Sequence, residues 1–74
     1  MPIDYSGQDL RGRDFKGQDL SHANLRGANL TKANLTKATL YEANLSYAHL
    51  AGTKLAGAKL AGVIGLDTVT GLID

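Results

Sequence analysis

A large apolar residue recurs at every fifth position of this chain, and a small polar residue usually stands just before it. The apolar series runs without a slip through Tyr5, Leu10, Phe15, Leu20, Leu25, Leu30, Leu35, Leu40, Leu45, Leu50, Leu55 and Leu60. Alanine stands two positions before most of the leucines from Ala23 onward, and Asp or Asn directly precedes most of them up to Asn44. Such regularity marks an internal repeat, and the repeat governs the fold prediction.

A period of five fits neither of the regular elements. In an α-helix a step of five residues turns the side chain by a net angle of about 140°, so the leucines would scatter around the cylinder. In a straight strand every second leucine would face water, because side chains alternate between the two faces. A chain that bends once per repeat removes the conflict: Ala and Leu both point inward, and the Asn or Asp between them points outward. Glycines fill the second position of many predicted corners, where φ is positive: Gly7, Gly12, Gly17, Gly27, Gly52, Gly57 and Gly62.

The tandem units resemble those of a known family. Residues 23–35, ANLRGANLTKANL, follow the A-(D/N)-L-x-x signature of pentapeptide-repeat proteins, and the resemblance covers residues 3–64. It implies an all-β fold, a right-handed quadrilateral β-helix with four repeats per coil, about three coils, and stacked positions 20 residues apart. The charges favour four sides independently, since a lag of 15 residues would place Asp4 under Asp19 whereas a lag of 20 puts no two acids in one outward column.

The two ends depart from the repeat. We predict a β-helix over residues 1–64, in which the first coil, residues 3–22, forms an N-terminal cap. There the small inward position carries Gln8, Arg13 and Gln18, whose stems can cover the core while their polar tips reach water. The alternative is that this rim binds a partner.

Residues 65–74 are predicted to form a short apolar cap, helical or irregular, or a dimerisation segment. The period breaks here because Leu66 comes one residue late, and Asp67 is a candidate helix N-cap. The apolar residues that would close the last coil or meet a second copy are Leu66, Val69, Leu72 and Ile73. The resemblance adds that family members often dimerise through this end.

Composition narrows the functional classes. The chain has 74 residues, no cysteine and a formal net charge of +1, so neither a disulfide framework nor a strong field for nucleic acid is present. No apolar run is long enough for membrane insertion and no signal peptide follows Met1, which predicts a cytoplasmic location.

No group of residues has the spacing of a catalytic or metal site. His22 and Glu42 are predicted to stack one coil apart as a surface ion pair, and His49 lacks companions for a zinc site. We therefore predict no enzyme, no cofactor, no metal and no small-molecule substrate.

Two outer surfaces are candidates for binding. Lysines and arginines lie on adjacent faces above the acid-rich first coil, which gives a mildly basic flank that either keeps the protein soluble or binds an acidic partner. The third coil is smooth, with alanine and glycine at its corners, and two tyrosines lie just before it. The candidate interface comprises Tyr41, Tyr47, Ala56, Ala61, Leu66, Val69, Leu72 and Ile73.

The sequence thus favours a non-catalytic scaffold or protein-interaction module that binds a protein partner or a second copy through its C-terminal end. The alternative comes from the resemblance: some family members mimic DNA and modulate type II topoisomerases. That role needs a long acidic rod, whereas this chain is short, has a net charge of +1 and carries Asn24, Asn29, Asn34 and Asn44 at positions where aspartate would supply the charge.

Overall fold

The outward residues of successive coils form columns of parallel β-bridges. The computed structural model describes residues 2–72, and its first column runs from Asp4 through Asn24 and Asn44 to Ile64. Three more columns start at Asp9, Asp14 and Asp19, so the coil has four sides. Every bridge within residues 2–72 joins positions 20 apart, except His49 with Thr70, which are 21 apart. The spacing of 20 residues that the family resemblance implies is therefore present in the structure.

Backbone hydrogen bonds between successive coils form a ladder along each column and follow one pattern, which we call the ladder rule. The N–H of the inward leucine donates to the carbonyl of the outward residue in the next coil, as Leu25 does to Asn44 at 2.8 Å. The N–H of that outward residue donates back to the inward alanine, as Asn44 does to Ala23 at 2.9 Å. Each corner is closed by a turn bond such as Ala28 N–H to Leu25 C=O at 3.0 Å. In residues 2–72 the bridges are isolated rather than part of longer strands, and the helical segment is the 3₁₀ turn Leu66–Thr68.

The core is the column of inward side chains. Nine of the repeated apolar residues are buried, together with the inward alanines: Leu10, Phe15, Leu20, Leu25, Leu30, Leu35, Leu40, Leu45 and Leu50. Leu55 and Leu60 are only partly buried and pack against this cluster. Among residues 2–72, no helix is both long and apolar enough to cross a membrane.

The second corner position has a positive φ whether or not it is glycine. His22, Lys32, Lys37, Glu42 and Tyr47 all lie there with φ between 57° and 63°. This backbone region costs an L-residue about 1–2 kcal/mol. The ladder imposes it nonetheless, because the N–H of Lys37, for example, donates to Ala56 C=O at 2.9 Å.

Outward Asp and Asn side chains hold the corners. Their Oδ1 accepts the backbone N–H two residues later, from Asp4 with Ser6 at 3.0 Å to Asn44 with Ser46 at 3.0 Å. This local bond explains why the position before leucine favours these two residue types. Hydrogen bonds from Arg11, chiefly from its side chain and secondly from its backbone N–H, lower the pKa of Asp9 to about 2. Those from Ser6 and Ser21 likewise lower the pKa of Asp4 and of Asp19.

We expect acid to destabilise the protein through these carboxylates. A carboxylate whose folded pKa is depressed stabilises the fold above its ordinary pKa of 3.8, and that contribution is lost as the pH falls through the folded value, about 2 for Asp9. Replacing Asp4, Asp9 and Asp19 together by Asn keeps the corner acceptor, as at Asn24, but removes the titration. The melting temperature of this variant, measured by circular dichroism, should therefore depend less on pH in this window than that of the wild type.

The matched control replaces the same three residues by Ala, which removes both the charge and the acceptor. That protein should be less stable than the wild type at neutral pH as well. Parallel pH profiles for the wild type and the Asn variant would rule out these carboxylates as the cause.

The chain takes one additional residue at the last corner, around the 3₁₀ turn. Tyr47 N–H, for which the ladder rule would give a backbone partner, donates instead to the Thr68 hydroxyl at 2.8 Å, and this hydroxyl donates to Gly65 C=O at 2.7 Å. The prediction of Asp67 as N-cap is wrong. The cap position is Gly65, whose φ is 83°, and Asp67 lies inside the turn without a capping bond. After the turn Val69 is extended and Thr70 rejoins the ladder.

Candidate protein-interaction site

The described residues hold no group of side chains suited to a metal ion. No three His, Cys, Asp or Glu side chains of residues 2–72 lie close enough to hold a metal ion. His22 Nδ1 lies 3.2 Å from Glu42 Oε1, so the predicted pair is present, and both side chains are more than half exposed. His49 Nδ1 lies 2.8 Å from the Thr70 hydroxyl.

One open groove of about 540 Å³ runs over a corner of the first two coils and is lined by Asp9, Arg11, Gly12, Thr31 and Lys32. Asp9 binds the Arg11 guanidinium through two hydrogen bonds of 2.8 Å. The Gly12 N–H donates to the Thr31 carbonyl, and the Thr31 hydroxyl donates to Asn29. Since most of its donors are already engaged and it carries a carboxylate, the groove has little to offer an anion.

A cation lies beside aromatic rings at the N-terminal end of the coil. The Arg13 guanidinium carbon lies 5.9 Å from the centre of the Tyr5 ring and 5.7 Å from that of Phe15, and the two rings are 5.8 Å apart. The guanidinium thus covers the aromatic rings at the bottom of the core with a favourable cation–π contact. Arg13 is exposed, and so are Gln8 and Gln18, the other two residues predicted to form a cap here.

The C-terminal end is apolar and exposed. Ile64, Leu66 and Leu72, which we call the C-terminal rim, have 53%, 40% and 45% of their surface exposed. Val69 packs against the core, whereas Leu66 and Leu72 do not belong to the buried cluster. Ile73, the remaining candidate in this segment, lies outside the described residues. An apolar rim of this kind, next to partly buried leucines, is typical of interaction surfaces.

The other candidate interface residues lie along the side of the coil. Tyr41 and Tyr47 are exposed, and the Arg26 guanidinium carbon lies 4.7 Å above the centre of the Tyr47 ring. This contact holds the Tyr47 ring in place and could not be predicted from the repeat. Ala56 and Ala61 are exposed at the corners of the third coil.

Two glycine corners of the third coil receive lysine side chains from the coil below, and a third, Gly62, receives the Glu42 side chain. A Cβ added at Gly52 would lie 3.2 Å from Lys32 Cγ, and one added at Gly57 would lie 3.2 Å from Lys37 Cγ. The two lysine stems therefore lie against the third coil, on either side of Lys54. In the described residues the ion pairs are Arg11 with Asp9 and His22 with Glu42, and neither involves a lysine.

The comparisons with known proteins agree with this geometry. The sequence pattern of "Pentapeptide repeats" matches residues 9–46 and 33–64, with eight copies of the repeat. The solved structure of the pentapeptide repeat protein Rfr23 from the cyanobacterium Cyanothece 51142 is 39% identical, with a TM-score of 0.79, over 82% of this chain and 42% of that one. A pentapeptide repeat protein of the Arabidopsis thaliana thylakoid lumen is 29% identical, with a TM-score of 0.59, over 92% of this chain and 54% of that one.

The match covers less than two thirds of each of these two solved chains. None of the curated proteins compared with the chain matches it.

Proposed function

The chain belongs to the pentapeptide-repeat family, and from this premise we propose that it is a non-catalytic interaction module that binds a protein partner or a second copy through its C-terminal end. Proteins of this family form right-handed β-helices and are in general structural modules rather than enzymes. The observation that carries the proposal is the difference between the two ends: the Arg13 guanidinium lies beside the aromatic rings at one end, and the C-terminal rim leaves the other end apolar.

The finer architecture belongs to the same proposal. We infer about three coils, with residues 3–22 as the N-terminal cap and residues 65–74 as an interface segment, of which residues 65–72 cover only part of the last coil. The partial exposure of Leu55 and Leu60 supports this division, since the leucines one coil below them are fully buried. A rigid β-helix with one apolar end acts by shape, and no reacting group is required.

Ile64→Lys is expected to abolish binding at the C-terminal end with little loss of stability, because this side chain is already about half exposed. The matched control is Ile3→Lys, which places the same charge on an exposed apolar residue at the opposite end. The measurement is the molar mass by light scattering over a range of protein concentrations, together with capture from a native lysate by immobilised wild type and each variant.

The wild type and the Ile3→Lys protein should show the same association, either as a doubled mass or as one captured partner in fixed ratio. The Ile64→Lys protein should remain monomeric and capture nothing. Equal association of all three proteins would refute the C-terminal end as the binding surface.

A further inference from the structure

We infer that residues 53–62 form an open edge of the coil that binds an acidic segment of a partner protein, which pairs with the edge in parallel and bends at the same corner. This inference rests on the proposed function, because it specifies the chemistry of the partner at the C-terminal end. Two features carry it: the backbone groups that the edge presents and the lysines that surround it.

The ladder rule identifies the backbone groups of this edge. One coil below, Leu35 N–H donates to Lys54 C=O at 2.8 Å, Lys37 N–H donates to Ala56 C=O at 2.9 Å, and Lys54 N–H donates to Ala33 C=O at 2.9 Å. The equivalent groups of the third coil have no backbone partner within residues 2–72: the N–H of Leu55, Gly57, Leu60 and Gly62, and the C=O of Thr53 and Ala58. A segment that continues the ladder in parallel and bends beside Gly57, as the coil itself does, would pair all of them. This is strand addition to an exposed edge.

The lysines around the edge determine which charge the outward residues of an added segment should carry. The outward residues of an added strand would stack on Lys54 and Lys59, the last members of the columns that start at Asp14 and Asp19. The Lys32 and Lys37 side chains lie against Gly52 and Gly57, so two further cations flank the first of these positions, while the Glu42 side chain lies against Gly62, beyond the second. Stacked residues in neighbouring strands lie about 4.8 Å apart, a distance at which like charges repel and opposite charges attract. We therefore expect the added segment to carry acids at its outward positions.

The partly buried leucines of the edge indicate which residue should follow each acid in the added segment. Leu55 and Leu60 pack against the core but lack the full cover that the leucines below them have. In the repeat, the residue after the outward one points inward, so a large apolar residue there would complete the burial. The segment is thus an acid followed by a large apolar residue, and the same pair again five residues later.

A second copy of this chain fits the edge poorly. The open edge of another copy carries the same four lysines, so two such edges repel each other. The acid-bearing first coil of another copy has suitable charges, but its end is covered by the Arg13 guanidinium. Stacking would bury this charge against leucines without an acidic partner, which is unfavourable. Lysines on an edge discourage strand pairing in general, and here they leave acidic strands as the exception.

The test uses the full chain and a synthetic peptide of two Ala-Asp-Leu-Ser-Gly units, titrated into the millimolar range. We expect amide resonances of Leu55, Gly57, Leu60 and Gly62 to shift on binding, while those of Gly12 and Gly17, in the first coil, stay unchanged. The double variant Lys54→Glu/Lys59→Glu should bind roughly tenfold more weakly or not at all, because two attractive pairs become repulsive. Lys16→Glu, a charge reversal in the first coil, should bind as the wild type does.

Two control peptides test separately the contribution of charge and that of backbone hydrogen bonds to binding. The peptide with Lys in place of Asp should not bind, and neither should the peptide whose two Asp nitrogens are methylated, since these N–H groups would donate to Thr53 and Ala58. The inference is overturned if the Lys peptide or the methylated peptide binds equally well, if no resonance shifts, or if the shifts lie elsewhere. Self-association that the Lys54→Glu/Lys59→Glu change leaves intact and the acidic peptide does not displace would also overturn it.

Failure here is distinguishable from failure of the proposed function. If Ile64→Lys abolishes association while the acidic peptide has no effect, the C-terminal end is the docking end and only the acidic strand is wrong. If Ile64→Lys changes nothing, the docking end itself is wrong.

Discussion

Leu35→Asp is expected to leave the chain unfolded at neutral pH. The Leu35 side chain is fully buried in the column between Phe15 and Leu55. Removing a buried leucine side chain costs about 2–5 kcal/mol, and burying an unpaired carboxylate costs several kcal/mol more. The sum is comparable to the whole stability of a small domain, about 5–15 kcal/mol. Circular dichroism and amide proton dispersion should both show loss of the fold.

Asn34→Asp is the matched control, since it adds the same charge at the neighbouring, outward position. Its oxygen can still accept the N–H and the hydroxyl of Thr36, which donate to Asn34 at 3.0 and 2.6 Å. In its column the new charge lies between Asp14 and Lys54, so repulsion from one neighbour is offset by attraction to the other. This variant should fold. A cooperative melt of Leu35→Asp close to that of the wild type would contradict the inward position of the leucine.

The pattern of apolar and polar residues predicts the interior of the fold well. A period of five with Ala and Leu two apart leaves only an arrangement with one corner per repeat, and the bridges 20 residues apart follow once four sides are assumed. The same pattern could not separate Leu55 and Leu60 from the leucines before them. Their partial exposure depends on whether another coil lies above, and that is a property of the end of the coil rather than of the local sequence.

The corners were only half predictable. Glycine marks the position of positive φ, but Lys32 and Lys37 adopt the same backbone in the middle coil, where hydrogen bonds to the next coil outweigh the strain. The lysine stems that rest on Gly52 and Gly57 depend on side-chain direction, which a one-dimensional pattern does not contain. The sequence therefore indicates a basic flank, but it does not show that the lysine side chains lie beside the edge formed by residues 53–62.

The tail was the least predictable segment. Its apolar spacing suggested a helix capped by Asp67, yet only the short 3₁₀ turn forms, and Thr70 returns to the ladder. Pairing with the coil below outweighs helix propensity here, because a short isolated helix gains little. The Thr68 hydroxyl that accepts the Tyr47 N–H is a local replacement for a missing carbonyl, and no repeat pattern predicts it.

Gly65→Ala is expected to detach the tail from the coil. Gly65 has a φ of 83°, and an added Cβ would lie 2.6 Å from Ser46 Cα and 2.8 Å from the Ser46 nitrogen. These are backbone atoms of the ladder and cannot move aside as a flexible side chain would. Strain of about 1–2 kcal/mol from the positive φ adds to an overpacking cost of about 1–3 kcal/mol. The N–H groups of Leu45 and Leu50, which donate to Ile64 and Thr70, should then exchange with solvent much faster than in the wild type.

Gly7→Ala is the control that tests the cost of the positive φ alone, without a steric clash of the added Cβ. Gly7 has a φ of 68°, but nothing lies within 4 Å of an added Cβ, so only the conformational cost applies and the tail amides should keep their protection. The Leu25 N–H, which donates to Asn44, is the internal reference and should stay protected in both variants. If Leu50 remains as protected in Gly65→Ala as in the wild type, the tail does not lie on the coil in the way described. If Leu25 loses protection as well, the tail is required for the whole fold and not only for its C-terminal end.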